Sequence, residues 1–356
     1  MQRAELINNL QNVAPALSEN TLIPLLTHFW FTGKQLMAFN DQIALAMPYR
    51  SEFKGAVPSK LLDLLRVGGE SRDEVMELNA NSGTHLKVRV GRSRLQLAML
   101  EPQFVFELPP ATVNPSQPLN KLIAAIEHCL VSVGTDTSAP EYLGITLEQE
   151  DDRIAMYATD GGSLSHMVIR AGLTLPDERV ILPASFCRQM LRLAQANGDG
   201  PATFAFGQRT SGGSPERYAL FLAGDAVLYG RLLESRSPLP FHQVIGDYLP
   251  AQYRDQLIPV PREFADALER AFIVCDPQRK RMELKVEGGR LKLLAQTDVE
   301  EVSEAIPFRG HDDVTLSVEP RLIRRGLPLA DKMMFSDRCV VLADKKGRRL
   351  YLVSCG

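Results

Sequence analysis

The chain has 356 residues, 45% apolar and 23% charged, a globular composition that excludes disorder over most of its length and points to two or three domains at roughly 100–200 residues each. Forty basic and 43 acidic residues leave a net charge of −3, which speaks against a simple polycationic nucleic-acid binder but not against a local basic surface. There is no run of 18 uncharged apolar residues and no apolar leader core at the N-terminus, so neither a membrane span nor secretion is expected. Five widely spaced cysteines (Cys129, Cys187, Cys275, Cys339, Cys355), with no C-x-x-C, read as small buried hydrophobes of a cytoplasmic protein.

Taken in chain order, one pattern occurs three times. An amphipathic helix over Ala4–Leu17, cut short by Pro15, precedes the turn and alternating strands of residues 33–47 around Asp41. A strand then runs into a helix over Gly55–Val67, where Pro58 and Ser59 fit a helix start, and strands follow over Leu86–Leu100. The second copy has a helix over Leu119–Val133, strands around Asp160 in residues 151–168 and a strand and helix over Val180–Ala196. It closes with a hairpin over Tyr218–Leu233 that turns at Gly224-Asp225. The third has a helix over Pro261–Cys275, strands around Asp298 in residues 288–306 and a strand and helix over Val314–Ala330, shortened by Gly326 and Pro328. Its hairpin over Cys339–Ser354 turns at Lys346-Gly347.

Proline-rich stretches, Pro109 through Pro118 and Pro238 through Pro261, read as linkers. The expectation is three homologous domains at 1–113, 114–246 and 247–356. Each is an α+β unit with a largely antiparallel sheet and two helices on one face. Asp41, Asp160 and Asp298 are expected to make turn hydrogen bonds. Their equivalent positions in three different units speak against one shared metal ion.

In order and spacing, the chain resembles the bacterial-type DNA polymerase III beta subunit, the beta sliding clamp. The strings that carry this are Val90-Gly91-Arg92-Ser93-Arg94-Leu95, Ala158-Thr159-Asp160-Gly161, Val180-Ile181-Leu182-Pro183 and Leu232-Leu233-Glu234-Ser235-Arg236. The resemblance implies a non-enzymatic, cofactor-free protein acting in DNA replication at the nucleoid. Two copies would close head to tail into a ring, with sheets outside and helices lining a hole around double-stranded DNA. The ring would tether a replicative DNA polymerase for processive synthesis and would be placed by a clamp loader.

That implication makes a prediction about charge. The six helical segments sum to +4 and the rest of the chain to −7, the asymmetry a hole around a polyanion needs. The candidate DNA-facing residues are Lys60, Arg66, Lys121, Arg188, Arg192, Arg321, Arg324 and Arg325. Arg92 and Arg94 share one strand face and read as DNA contacts, an internal ion pair or a subunit seam; Arg279-Lys280-Arg281 is a basic run near the pore or a solvated turn. The loop Ser18-Glu19-Asn20-Thr21 lacks the basic residue that the family often places there.

The family's partner peptides bind an apolar cleft between the second and third repeats. Matching positions here are Thr159, Gly161 and Leu164 on one wall, Pro240 and Val244 near the second linker, and Leu352 and Val353 at the tail. Two departures, Gly162-Ser163 where the family has a polar pair and an ending at Ser354-Cys355-Gly356, imply a shallower or differently shaped floor and fit a divergent or phage-encoded member. An enzyme has little support: the six histidines (His28, His85, His128, His166, His242, His311) lack metal-ligand spacing, there is no phosphate-binding glycine motif, and the GQRTSGG stretch at 207–213 reads as a loop. The remaining alternative is a clamp-like protein that binds a polymerase or clamp partner without closing on DNA.

Overall fold

The computed structural model describes residues 3–19, 22–67, 76–80, 84–90, 92–101, 119–170, 172–211, 214–275, 281–309 and 313–355. The first linker at 109–118, Asn20, Thr21, Gly91, Gly212, Gly213, Arg279, Lys280 and His311 lie outside them. The first third of the chain runs α1 (Arg3–Val13), β1 (His28–Phe31), β2 (Gln35–Phe39), β3 (Ile43–Pro48), β4 (Gly55–Pro58), α2 (Lys60–Arg66), β5 (Met76–Asn79), β6 (His85–Val90) and β7 (Ser93–Ala98). The second runs α3 (Asn120–Leu130), β8 (Gly144–Glu150), β9 (Arg153–Thr159), β10 (Ser163–Ile169), β11 (Arg179–Pro183), α4 (Ala184–Asn197), β12 (Ala202–Ser211), β13 (Ser214–Ala223) and β14 (Ala226–Arg231). The last runs α5 (Phe241–Tyr248), α6 (Tyr253–Gln256), β15 (Ile258–Pro259), α7 (Phe264–Val274), β16 (Met282–Glu287), β17 (Arg290–Gln296), β18 (Glu301–Pro307), β19 (Val314–Val318), α8 (Pro320–Gly326), β20 (Lys332–Phe335), β21 (Cys339–Ala343) and β22 (Arg349–Ser354).

Strand order repeats as the sequence does. β4-β1-β2-β3, β11-β8-β9-β10 and β19-β16-β17-β18 are one pattern; β5-β6-β7, β12-β13-β14 and β20-β21-β22 are the other. The first kind joins the second across the repeat boundary. β3 pairs antiparallel with β14, and β10 pairs antiparallel with β22. The chain therefore divides into two compact units, Met1–Leu119 with Ser185–Leu232, and Asn120–Ala184 with Leu233–Gly356. Compactness follows the continuous sheets, not the sequence repeats.

In the first unit, Leu6, Leu10 and Val13 of α1 and Leu61 and Leu65 of α2 are buried with Phe29, Phe31, Leu36, Ile43 and Leu45 of the seven-stranded sheet. Each such side chain is worth roughly 1.5–3 kcal/mol against exposure. Pro15 ends α1 as expected, in a short 3-10 turn over Ala14–Ala16. Arg3, counted above among the helix charges, is buried, and its guanidinium donates to the carbonyls of Leu65 (2.7 and 2.9 Å) and Val67 (3.2 Å), closing the end of α2. Pro58 and Pro183 finish strands rather than start helices, and Ser59 makes no side-chain cap. In the second unit the helix-side core gathers Phe264, Leu268 and Ala271 of α7, Leu322 and Ile323 of α8, and Tyr351 and Val353 of β22.

The three marked turns are alike, but the aspartates are not the equivalent residues. In each, a polar side chain accepts the backbone N–H groups two and three residues on. These acceptors are Asn40 (from Gln42 and Ile43), Asp160 (from Gly162 and Ser163) and Thr297 (from Val299 and Glu300). Asp160 therefore makes the expected bonds, whereas in the other two copies the preceding residue makes them. Asp41 falls in the position of Gly161, and both carry positive φ (76° and 85°). Of the cysteines, Cys129, Cys187 and Cys339 are buried thiols, while Cys275 and Cys355 are partly exposed.

The expected boundary at 246/247 runs through α5. The stretch between Pro240 and Pro250 was read as linker, yet it holds Phe241, Val244, Ile245 and Tyr248 at helical spacing.

Candidate functional site

The residues expected to form a cleft gather within the second unit, on the sheet face opposite α3, α7 and α8. β10 and β22 bring Leu164 opposite Leu352, and strand alternation turns both onto this face. They join a cluster with Tyr157, Val341 and Leu350, against which Phe241, Val244, Ile245 and Tyr248 of α5 pack. An open depression results, lined by Thr159, Gly161, Gly162, Ser163, Leu164, Val244, Tyr248, Leu352 and Ser354.

Five of the seven expected cleft residues line it: Thr159, Gly161, Leu164, Val244 and Leu352. Val353 does not, because alternation sends it into the helix-side core, fully buried. Pro240 is exposed at the start of α5 and is not among the lining residues. Sequence reading missed Tyr248 and Ser354. Tyr248 is four residues beyond Val244, so reading α5 as a helix would have found it.

The floor is braced from beneath. Asp160 Oδ1 accepts from the N–H groups of Gly162 (3.1 Å) and Ser163 (2.7 Å) and from the Ser163 hydroxyl (3.0 Å), while Oδ2 takes Arg325 of α8 at 2.9 Å. A Cβ at Gly162 would lie 2.9 Å from Leu322 Cδ1, so the tip of that side chain would have to shift to admit one. The Ser354 N–H and hydroxyl both donate to the Gly162 carbonyl (3.0 and 3.1 Å). Gly162, Ser163 and Ser354 thus meet in one small, hydroxyl-bearing corner.

α5 is held by its first turn. Tyr157 is stacked between Phe241 (4.8 Å) and His166 (4.9 Å), and burial pushes its phenol pKa up. His242 Nε2 lies 3.1 Å from Glu150, 3.3 Å from Glu148 and 3.2 Å from the Tyr157 hydroxyl. Glu148 also pairs with Arg179, which donates to the Leu239 carbonyl just before α5 (3.2 Å). Tyr248 also lines a second, larger groove edged by Asp247, Asp313, Asp337 and Arg338.

The eight candidate DNA-facing residues separate into two kinds. Lys60, Lys121 and Arg188 are exposed and have no ion pair among the described residues. Arg66 and Arg321 are exposed beside acids of their own segments, Asp63 at 3.8 Å and Glu319 at 2.8 Å. Arg324 pairs with Glu269 at 2.5 Å and lies over the Phe272 ring. Arg192 and Arg325 are engaged with the protein. Arg192 donates to the side chain and carbonyl of Asn12 and to Gln189, and burial lowers its pKa. Arg325 donates to the Val131 carbonyl (2.9 Å) and to Asp160. Among the described residues no three His, Cys, Asp or Glu side chains form a metal site, and no helix is long and apolar enough to cross a membrane.

No protein-family model matches the chain. Curated relatives include the beta sliding clamps of Proteus mirabilis and Escherichia coli K12, each 24% identical over 328 residues, covering 86% of this chain and 82% of the relative. Among solved structures, a DNA polymerase sliding clamp from Pseudomonas aeruginosa determined with a ligand superposes with a TM-score of 0.82 at 20% identity. A sliding clamp from Bartonella birtlesii bound to griselimycin superposes with a TM-score of 0.83 at 18%. Both alignments cover all of this chain and 98% of the other. The whole chain has the sliding-clamp fold and resembles the beta sliding clamp, the beta subunit of DNA polymerase III.

Proposed function

We propose that this chain is a DNA sliding clamp built of three repeats, with nominal limits 1–113, 114–246 and 247–356 and the second limit moved off α5. Two copies close head to tail, surround double-stranded DNA and hold a replicative polymerase on its template. No bond is made or broken.

The observation that carries this reading is the strand order. β3 meets the closing strand of the second repeat and β10 that of the third, which among the described residues leaves β18 of the third repeat and β7 of the first as unmatched ends of the same pattern. A second copy supplies both missing partners, and a head-to-tail contact of this kind ends in a closed ring when the rotation closes.

Lys60, Lys121 and Arg188 are the residues best placed to face DNA, with Arg66, Arg321 and Arg324 beside their acids. A few loose phosphate contacts suit a ring that slides and reads no bases. The depression beside α5 takes an apolar segment of the polymerase or the clamp loader.

The test is topological. Protein loaded on nicked circular DNA should stay with it through gel filtration at moderate salt and run off once the circle is cut. Equal retention on both forms would replace the ring with a clamp-like protein that binds without closing.

A further inference from the structure

α5 forms one wall of the depression through Val244 and Tyr248, so whatever fixes α5 also fixes the depression. Eight residues are too few to hold a helix in water by themselves. Pro240 before it supplies no side-chain cap. The position of α5 therefore comes from its contacts with the sheet.

Two contacts in the first turn act at different angles. Phe241 is buried and lies flat on Tyr157, with 4.8 Å between ring centres and 3° between planes. Val244 and Tyr248 follow three and seven residues on, along the same helix face. A flat ring contact sets how close α5 lies to the sheet but resists rolling about the helix axis only weakly. His242 is one residue on from Phe241, about 100° around that axis. Its Nε2 lies 3.1 Å from Glu150, 3.3 Å from Glu148 and 3.2 Å from the Tyr157 hydroxyl. Carboxylates only accept, so this nitrogen carries the hydrogen. The contact sits to one side of the apolar stripe, where it opposes rolling.

Glu148 ties the arrangement to the sheet. Its side chain is only 9% exposed, and a buried carboxylate is costly unless it is paired. Both of its partners act on α5. Arg179 holds the Leu239 carbonyl just before the helix (3.2 Å), and His242 is on the helix itself. At the far end, the Tyr248 carbonyl takes a weak bond from the Cys339 thiol at 3.6 Å, and Gly246 and Asp247 are exposed.

We propose that His242 is a positioning residue for the depression. Docked on Glu148 and Glu150, it sets the roll of α5 and with it the places of Val244 and Tyr248, so partner affinity depends on a side chain that does not line the site. The proposal rests on the reading of the depression as a partner site and adds to it what holds its wall.

Fluorescence titration of the full-length protein with a labelled leucine-rich peptide tests it, with urea unfolding of each variant alongside. His242→Leu keeps helix propensity and removes the donor. It should raise the peptide Kd about tenfold, as expected if the released helix holds the competent roll about a tenth of the time. His242→Gln returns an amide N–H close to the place of Nε2 and should restore most of the parent's affinity. Neither variant should shift the urea midpoint, since the His242 side chain is 65% exposed. Leu and Gln variants that bind alike, whether as tightly as the parent or equally weakly, would overturn the assignment, and so would a loss of affinity matched by a loss of stability. A parent chain that does not bind the peptide would instead remove the reading of the depression as a partner site.

Discussion

Arg188 and Arg192 are one helical turn apart on α4, and the first is exposed while the second is tied to Asn12 of α1. Sequence reading could not separate them, because the letter and the face are the same and the distinction depends on a carbonyl 180 residues away. Arg188→Ala should weaken DNA association and reduce its salt slope by about 1 while leaving unfolding unchanged. Arg192→Ala should cost about 1–2 kcal/mol in urea unfolding, because it strands a half-buried carbonyl and amide. An Arg192→Ala protein of parental stability that no longer binds DNA would return Arg192 to the pore. His166 gives a second prediction. Burial, with His242, His128 and Arg254 nearby, lowers its pKa to about 4, and its Nδ1 has no hydrogen-bond partner among the described residues. The unfolded chain protonates this group near pH 6.5 and the native state only near 4, so stability falls as pH drops through that window, by roughly 2–3 kcal/mol from this residue. His128, also lowered mainly by burial, acts in the same direction. Denaturant unfolding of the parent at pH 7.5 and 5.0 should show this decline, and His166→Gln should flatten it; parallel declines would assign the acid sensitivity elsewhere.

At the scale of elements, the strands and the six expected helices were legible because their periodicities are strong. Leu122, Ile126 and Cys129 of α3 and Leu61, Leu62 and Leu65 of α2 are buried as spaced. α5 was not legible, because the prolines that flank it outweighed eight residues of amphipathic pattern between them. Proline before a helix costs little, since the first N–H groups have no partner in the helix anyway. The cleft was half legible for a related reason. A strand's period of two assigns Leu352 and Val353 to opposite faces, but only the fold says which face α5 covers. Tyr248→Ala should therefore abolish binding of an apolar clamp-binding peptide with little change in stability, since its ring is only partly buried. Val353→Ala should cost roughly 2 kcal/mol of stability by opening a cavity in the helix-side core and leave peptide affinity within about twofold. Fluorescence titration with a labelled peptide and urea unfolding separate the two, and a reversal of the effects would assign Val353 to the cleft.

At the scale of the whole molecule, the threefold repeat could be read from spacing alone, while the compact units could not. Hydrogen bonds between β3 and β14 and between β10 and β22 carry each sheet past the repeat boundary, so the second repeat is shared between two units. No local pattern announces such a joint, because the outer strand of a sheet and a strand inside it have the same alternation. The same arrangement limits how stable one copy can be alone. Among the described residues β18 and β7 stand at the ends of their sheets, and proteins seldom leave such edges open. Light scattering over a wide concentration range should thus give about 79 kDa, twice the 39.5 kDa chain, with dissociation only at high dilution. Raising the salt concentration should loosen direct contacts between the pore and phosphate. Retention on closed circular DNA should outlast this effect until the ring itself opens, because a topological link does not depend on the strength of any one contact. If release from circles followed the salt dependence seen on short linear duplexes, direct contacts rather than encirclement would be holding the protein.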